Sequence, residues 1–310
     1  MSKYYQIDVV AKTTRNPLGY IPFILKSIFK ILTSNYDLIH AHYVPHSALI
    51  PALLKRIIKK PLIVTFHGDD ARIFPWKNRL YRWLTSFVVR MSDAVIVRSE
   101  EMKEQIKRLG IRAKIVVICA GVDVKKFKPI PKHLARKRLG LPSDNKIVIY
   151  IGRLDKMKGV ELIYRCAELL NALFVFIGEG ELKVDRNNCI FASKRTHDEI
   201  PIWLSASDVL VLPSYSEGLP NVVMEALSCG IPAVVSNAGG CPEVVECGKT
   251  GFVVPVGDTK SLAKAIEKLL YDENLRLKMG LEGRKKMIKR FEVKKMIKRL
   301  RKVYESCLRE

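Results

Sequence analysis

The sequence lacks any apolar run near the roughly 18–20 residues that a membrane span requires. The closest approach, Ile21 to Leu32, is cut by Lys26 and Lys30. No secretory leader pattern is legible. The seven cysteines, at 119, 166, 189, 229, 241, 247 and 307, form no CxxC pair and no Cys/His cluster of zinc-like spacing. Cys119, Cys166 and Cys189 sit in apolar runs and read as small packed hydrophobes, which fits a reducing, cytoplasmic setting. Adjacent acids occur at Asp69-Asp70 with no further ligand near, so they read as helix-capping or solvated groups, and no metal or other cofactor is expected. Short repeats, low-complexity segments and named nucleic-acid motifs are also lacking, so no nucleic-acid partner is expected.

Acidic residues are scarce: 31 against 54 basic ones, a net charge of +23. The imbalance is uneven. Residues 1–142 hold 27 Lys and Arg against 9 acids, residues 143–310 hold 27 against 22, and the stretch 284–302 holds 11 basic residues with Glu292 its one acid. A field of this sign attracts phosphate, whether on a nucleotide, a lipid headgroup or a nucleic acid, and charge alone does not choose among them. Lys26 and Lys30 on an apolar helix, the run Lys55, Arg56, Lys59 and Lys60, and the tail 284–302 suit an anionic membrane surface, and equally a solvated basic face.

What is present is alternation. A chain of 310 residues with 48% hydrophobic content accommodates two domains. Strands are predicted at 5–10 (YQIDVV), 37–41, 61–66, 93–97 and 114–118, with helices over 21–32, 45–58, 76–91 and from Ser99. Three prolines mark 119–145 as a connector with one basic helix. Continuous apolar runs ending near glycine or a turn then recur at 147–152, 173–178, 189–193, 208–214, 232–236 and 251–255, with helices between them and three closing helices over 259–271, 274–290 and 293–308. That pattern predicts α/β architecture: two Rossmann-like, doubly wound domains with a ligand cleft between them. The expected division is 1–142, 143–290, and a C-terminal helix, 291–310, packing back on the first domain.

Ligands of open α/β sheets bind beyond the carboxyl ends of the strands. After IVIYIG comes Arg153, then Lys158 five residues on; Gly152 permits close approach of the backbone. Two cations above one strand end suit a diphosphate, although an isolated pair of this spacing is commonly surface charge. DVLVLPS is followed by Tyr215-Ser216-Glu217-Gly218-Leu219-Pro220-Asn221, with Pro220 expected in the first turn of a helix whose free N–H groups face the same crevice. Asn221 and Glu225 lie four apart on one face, and Glu225, expected on that first turn, could accept hydrogen bonds from a diol such as ribose. Glu217 precedes the helix and would sit nearer a sugar; alone it would read as a cap. His67 follows PLIVTF at a strand end of the first domain, where a lone histidine is more often structural.

These segments carry a family likeness. IHAH (39–42), TFHG (65–68), AGVDVKKFKP (120–129), IGRLDKMKG (151–159) and, above all, PSYSEGLPNVVMEALSCGIPAVVSNAGGCPEVVECGKTGFVVPVGD (213–258) resemble the retaining glycosyltransferases of family 4, which have the GT-B architecture. The E-x7-E spacing falls on Glu217 and Glu225, and the likeness covers about residues 37–290. It implies a metal-independent hexosyltransferase that moves a sugar from a nucleotide-diphosphate donor to a glycan or lipid-linked acceptor, in the cytoplasm or on the inner membrane face. Arg153 and Lys158 would hold the diphosphate and stabilise the leaving group. Glu217 with the backbone of Gly218, Leu219, Pro220 and Asn221 would hold the sugar, Glu225 the ribose, and His67 would lie beside the sugar's reactive face. One departure stands out: the family usually opens with a strand, a Gly-rich loop, a helix and a second strand before the segment matching YQIDVV. Their lack here leaves three readings: a start further upstream, a second polypeptide that completes the domain, or a degenerate chain. The alternative function is an inactive nucleotide-sugar-binding module that needs a partner.

Overall fold

The computed structural model describes residues 1, 4–12, 16, 19–182, 184 and 186–309. Contacts divide them into two compact units, 1–119 with 296–310, and 120–295.

The first unit holds a four-stranded parallel sheet, β1 (Ile39–His42), β2 (Leu62–Thr65), β3 (Ala94–Val97) and β4 (Ile115–Val117), in that spatial order. Its helices are α1 (Tyr20–Thr33), α2 (Leu49–Ile58), α3 (Asp69–Arg72), α4 (Phe74–Lys77), α5 (Arg79–Met91) and α6 (Glu100–Lys107). β2 and β3 are buried along their whole length, as strands covered on both faces should be. On one face Leu62, Val64, Val95 and Val97 pack with Ala52, Val88, Met102 and Ile106. On the other, Ile63, Ala94, Ile96 and Ile118 pack with Val303 and Cys307 of the C-terminal helix, Val293–Arg309. Local signals set the helix starts: Asn78 accepts from the Tyr81 N–H and Ser99 from the Met102 N–H.

YQIDVV forms no strand, contrary to its alternating pattern. Residues 6–9 are exposed and pair with no β-strand among the described residues, and β1 bonds only to β2. A strand needs a ladder partner; hydrophobic alternation without one does not hold the extended chain. Asp8 instead pairs with Lys30 of α1 at 2.6 Å.

The second unit holds a six-stranded, wholly parallel sheet in the order β10-β9-β8-β5-β6-β7. The strands are β5 (Ile147–Ile151), β6 (Leu173–Ile177), β7 (Cys189–Ala192), β8 (Val209–Leu212), β9 (Ala233–Ser236) and β10 (Gly251–Val254). The helices are α7 (Lys132–Leu139), α8 (Val160–Leu169), α9 (Ile200–Ala206), α10 (Asn221–Ser228), α11 (Cys241–Val244), α12 (Thr259–Tyr271) and α13 (Glu273–Lys286), the last running into a π turn over Met287–Phe291. The winding direction reverses between β5 and β8, the switch point at which doubly wound sheets open a crevice.

Residues 120–142, expected with the first domain, fall with the second unit, and the bonds show why. Val122 exchanges backbone hydrogen bonds with Phe291 and Val293 at 2.8 and 3.0 Å. Arg136 of α7, 5% exposed, donates to Ala206 O at 2.9 Å and to the Asp208 carboxylate at 3.0 Å. Asp208 is itself buried and also accepts from the Ile147 N–H at the start of β5.

Candidate functional site

Two loops meet at the switch point, one after β5 and one after β8. The β5 loop is built around Asp155. One carboxylate oxygen accepts from the Lys158 N–H at 3.0 Å, starting a short 3-10 turn, and the other pairs with the Arg153 guanidinium at 3.3 Å. The Tyr150 hydroxyl donates to the Arg153 carbonyl at 2.5 Å, holding the loop from below. Gly159 follows in the left-handed region, φ +67°, and a Cβ there would meet the Pro213 carbonyl oxygen at 2.2 Å. The β5 and β8 loops therefore touch backbone to backbone, which only glycine permits. Gly152, at the strand end, takes a 3.0 Å bond from its N–H to the Ile177 carbonyl, and a Cβ on neighbouring Gly178 would meet the Gly152 oxygen at 1.9 Å.

The structure joins the expected cation and carboxylate directly. Lys158 Nζ lies 2.6 Å from Glu217 Oε1, which also accepts from Ser214 Oγ at 2.8 Å. Both charged side chains are largely covered, so their attraction is screened less than on an open surface. Arg153, with its side chain 76% exposed, reaches outward from the same loop. Gly218 O accepts from the Gly240 N–H at 2.9 Å and Leu219 is buried, so the turn before α10 is fixed. Pro220 is the residue preceding α10 rather than part of its first turn, and Asn221 opens the helix. Glu225 is the fifth residue of the helix, in its second turn rather than its first, and it does not join the Lys158 cluster. It pairs with His197 Nε2 at 2.9 Å, while Lys126 Nζ stands 2.9 Å from His197 Nδ1. Because lysine only donates, Nδ1 carries the lone pair and Nε2–H points to Glu225.

In the first unit His67 is one of three side chains at neighbouring strand ends. His42 closes β1, His67 follows β2 and Arg98 follows β3. His42 Nδ1 lies 3.0 Å from His67 Nε2, and Arg98 lies 3.3 Å from His67 Nδ1. Tyr43, itself at φ +65°, stacks on the His67 ring at 4.4 Å between centroids. Beneath them His40 bonds to Tyr304 Oη at 2.6 Å and Thr65 Oγ1 at 2.7 Å. Burial, then the Arg98 charge, pushes His67 down to about 4; burial, with His42 and His67 adding to it, pushes His40 down to about 3. Asp70 pins the loop between them by accepting from the His67, Gly68 and Val44 N–H groups at 2.8, 2.7 and 3.3 Å. Burial raises its carboxyl against those bonds, and it acts as a backbone anchor. No group of three or more possible metal ligands occurs among the described residues.

Sequence reasoning missed Ser214, Asp155, His197, Lys126, His42 and Arg98. Ser214 and Asp155 lay inside quoted motifs, and His42 lay inside IHAH, so proximity to a strand end could have found them. His197 and Lys126 are brought to Glu225 from 28 and 99 residues away by the fold, and no local pattern announces them.

The family model for glycosyl transferases group 1 matches residues 131–286, and that for Glycosyltransferase Family 4 matches residues 4–126. A UDP-Gal:alpha-D-GlcNAc-diphosphoundecaprenol alpha-1,3-galactosyltransferase of Escherichia coli is 30% identical over 304 residues, covering 90% of this chain and 78% of that protein. TuaC of Bacillus subtilis, by its name a teichuronic acid biosynthesis glycosyltransferase, is 30% identical over 247 residues, which are 76% of this chain. The chain spans 62% of TuaC's length. Among solved structures, sucrose-phosphate synthase of Thermosynechococcus elongatus superposes with a TM-score of 0.87 over 96% of this chain and 81% of that one, at 23% identity, a likeness of fold.

Proposed function

The chain belongs to the group 1 glycosyltransferases, of the family 4, GT-B type, and from that premise we propose that it moves a sugar from a nucleotide-diphosphate donor to a glycan or lipid-linked acceptor with retention of configuration. The observation that carries this reading is the Lys158–Glu217–Ser214 cluster at the switch point, with Arg153 on the same loop. A cation held beside a crevice stabilises the charge that grows on a departing diphosphate, and a carboxylate beside it accepts hydrogen bonds from sugar hydroxyls. In this reading Arg153 and Lys158 hold the diphosphate, and Gly152 lets it approach the backbone. Glu217 and the turn Gly218-Leu219-Pro220-Asn221 hold the sugar, Glu225 holds the ribose, and His67 helps orient the sugar's reactive carbon. The acceptor class is supported by the lipid-diphosphate named for the Escherichia coli relative.

The reaction uses no metal in this proposal, and the chain works in the cytoplasm on an anionic membrane surface. No helix among the described residues is long and apolar enough to cross a membrane. A thermal-shift panel of nucleotide sugars, followed by turnover assays with and without chelator, tests the reading. Lys158→Ala and Glu217→Ala should each lower kcat/KM by about 100-fold, the size of one lost electrostatic contact to a transition state, with chelator having no effect. A panel in which no nucleotide sugar raises the melting temperature, or variants that turn over like the parent, would sink the proposal. Anomeric proton signals of the product report retention.

A further inference from the structure

The proposed function gives Glu225 a substrate contact but leaves its partner, His197, without a role. Both lie in the second unit, as does Lys126. Glu225 stands on α10 with its side chain 15% exposed, and His197 stands in the loop that leads into α9. That loop is itself fixed: the Glu199 carboxylate accepts from the Thr196 N–H at 2.9 Å and from the Thr196 hydroxyl at 2.7 Å. The His197 ring rests against buried Phe127, 5.0 Å between centroids, and Lys126 holds Nδ1. The ring's orientation is thus set by groups other than Glu225, and its Nε2–H reaches Glu225 Oε1 at 2.9 Å. A carboxylate has about four acceptor positions and His197 occupies one, so a pair of hydroxyls can still be met.

We propose that His197 is a positioning residue: by holding Glu225 Oε1 it sets the carboxylate to receive a vicinal diol, and so makes the site select ribose over deoxyribose nucleotides. The proposal rests on the reading of Glu225 as the ribose contact. A glutamate side chain turns about several bonds, and ordering it at the moment of binding costs affinity that a standing hydrogen bond removes. An N–H of an uncharged ring does this without cancelling the carboxylate's charge, in contrast to the ammonium that lies on Glu217.

Calorimetric titration with UDP, GDP and ADP, each against its 2′,3′-dideoxy form, tests this. The parent chain should bind at least one ribonucleotide about tenfold or more tightly than the dideoxy form. His197→Ala should weaken that ribonucleotide by about tenfold, the size of one hydrogen bond to a charged group, and leave the dideoxy form within about twofold. His197→Gln, whose side-chain N–H falls where Nε2–H does, should recover most of the preference. In Glu225→Ala the preference should already be gone, and adding His197→Ala should change nothing further. A histidine that merely props the loop would weaken both forms alike; that result overturns the proposal. So does a His197→Ala protein with the parent's preference, or a double variant weaker than Glu225→Ala alone. A parent that binds the two forms equally overturns the reading of Glu225 and the proposal with it, and a parent that binds none of the three nucleotides overturns the donor reading beneath both.

Discussion

At the scale of single residues, the sequence showed chemical types but not partners. Glu217 and Lys158 stood out by their places after strands, yet their bond to each other crosses 59 residues of chain and depends on β5 and β8 being neighbours. His67 stood out for the same reason, whereas nothing local singles out Arg98 among 54 basic residues. The histidines also make stability depend on pH. Unfolded, they protonate near 6.5; folded, His67 resists until about 4 and His40 until about 3. Their folded pKa values are depressed, so between those limits the unfolded chain binds more protons, and stability is lost as pH falls below 6.5. The slope approaches about 1.4 kcal/mol per pH unit for each fully sheltered histidine, less where water reaches the ring. Melting temperatures measured from pH 7.5 to 4.5 should fall, and His40→Gln should flatten the fall. A parent chain equally stable across that range would contradict this account.

At the scale of elements, helices with caps and buried strands were legible, because caps and continuous apolar runs are local signals. YQIDVV was misread because strand formation is decided by a neighbour, not by the pattern itself. The helix over 21–32 was legible too, but not which face it shows. α1 buries Ser27 and leaves Ile21, Leu25, Phe29 and Leu32 exposed, an apolar stripe at helical spacing. Leu53 and Ile57 of neighbouring α2 are exposed as well. Lys30 and Lys55 pair with Asp8 and Asp93; in the proposed docking, Lys26, Arg56, Lys59 and Lys60 would meet lipid phosphate. Each such cation contributes about 1 kcal/mol near an anionic surface. Flotation with vesicles containing phosphatidylglycerol at low salt should carry the chain upward, and Leu25→Glu with Phe29→Glu should leave it behind. A parent chain that stays in the soluble fraction would refute membrane docking.

At the scale of the whole molecule, two parallel α/β sheets were legible from alternation. The boundary was not, because Val122 and Arg136 commit their segment through bonds to Phe291, Ala206 and Asp208, residues far along the chain. Net charge is likewise a property of the whole. A molecule at +23 draws phosphate anions toward it, and salt screens that pull over about 10 Å at 0.1 M. Calorimetric titration with whichever nucleotide sugar the thermal-shift panel selects should therefore show affinity falling as ionic strength rises from about 0.05 to 0.5 M. Salt-independent affinity would mean that the field contributes nothing to donor capture.

The bond between Lys158 and Glu217 gives each group a partner for which any phosphate would have to compete. One ammonium cannot serve a carboxylate and a phosphate oxygen at full strength together. On the proposed function, a diphosphate that takes Lys158 would free Glu217 to accept from the hydroxyls of the attached sugar. Recognition of the sugar would then be conditional on recognition of the phosphate: the second hand would open only once the first had closed.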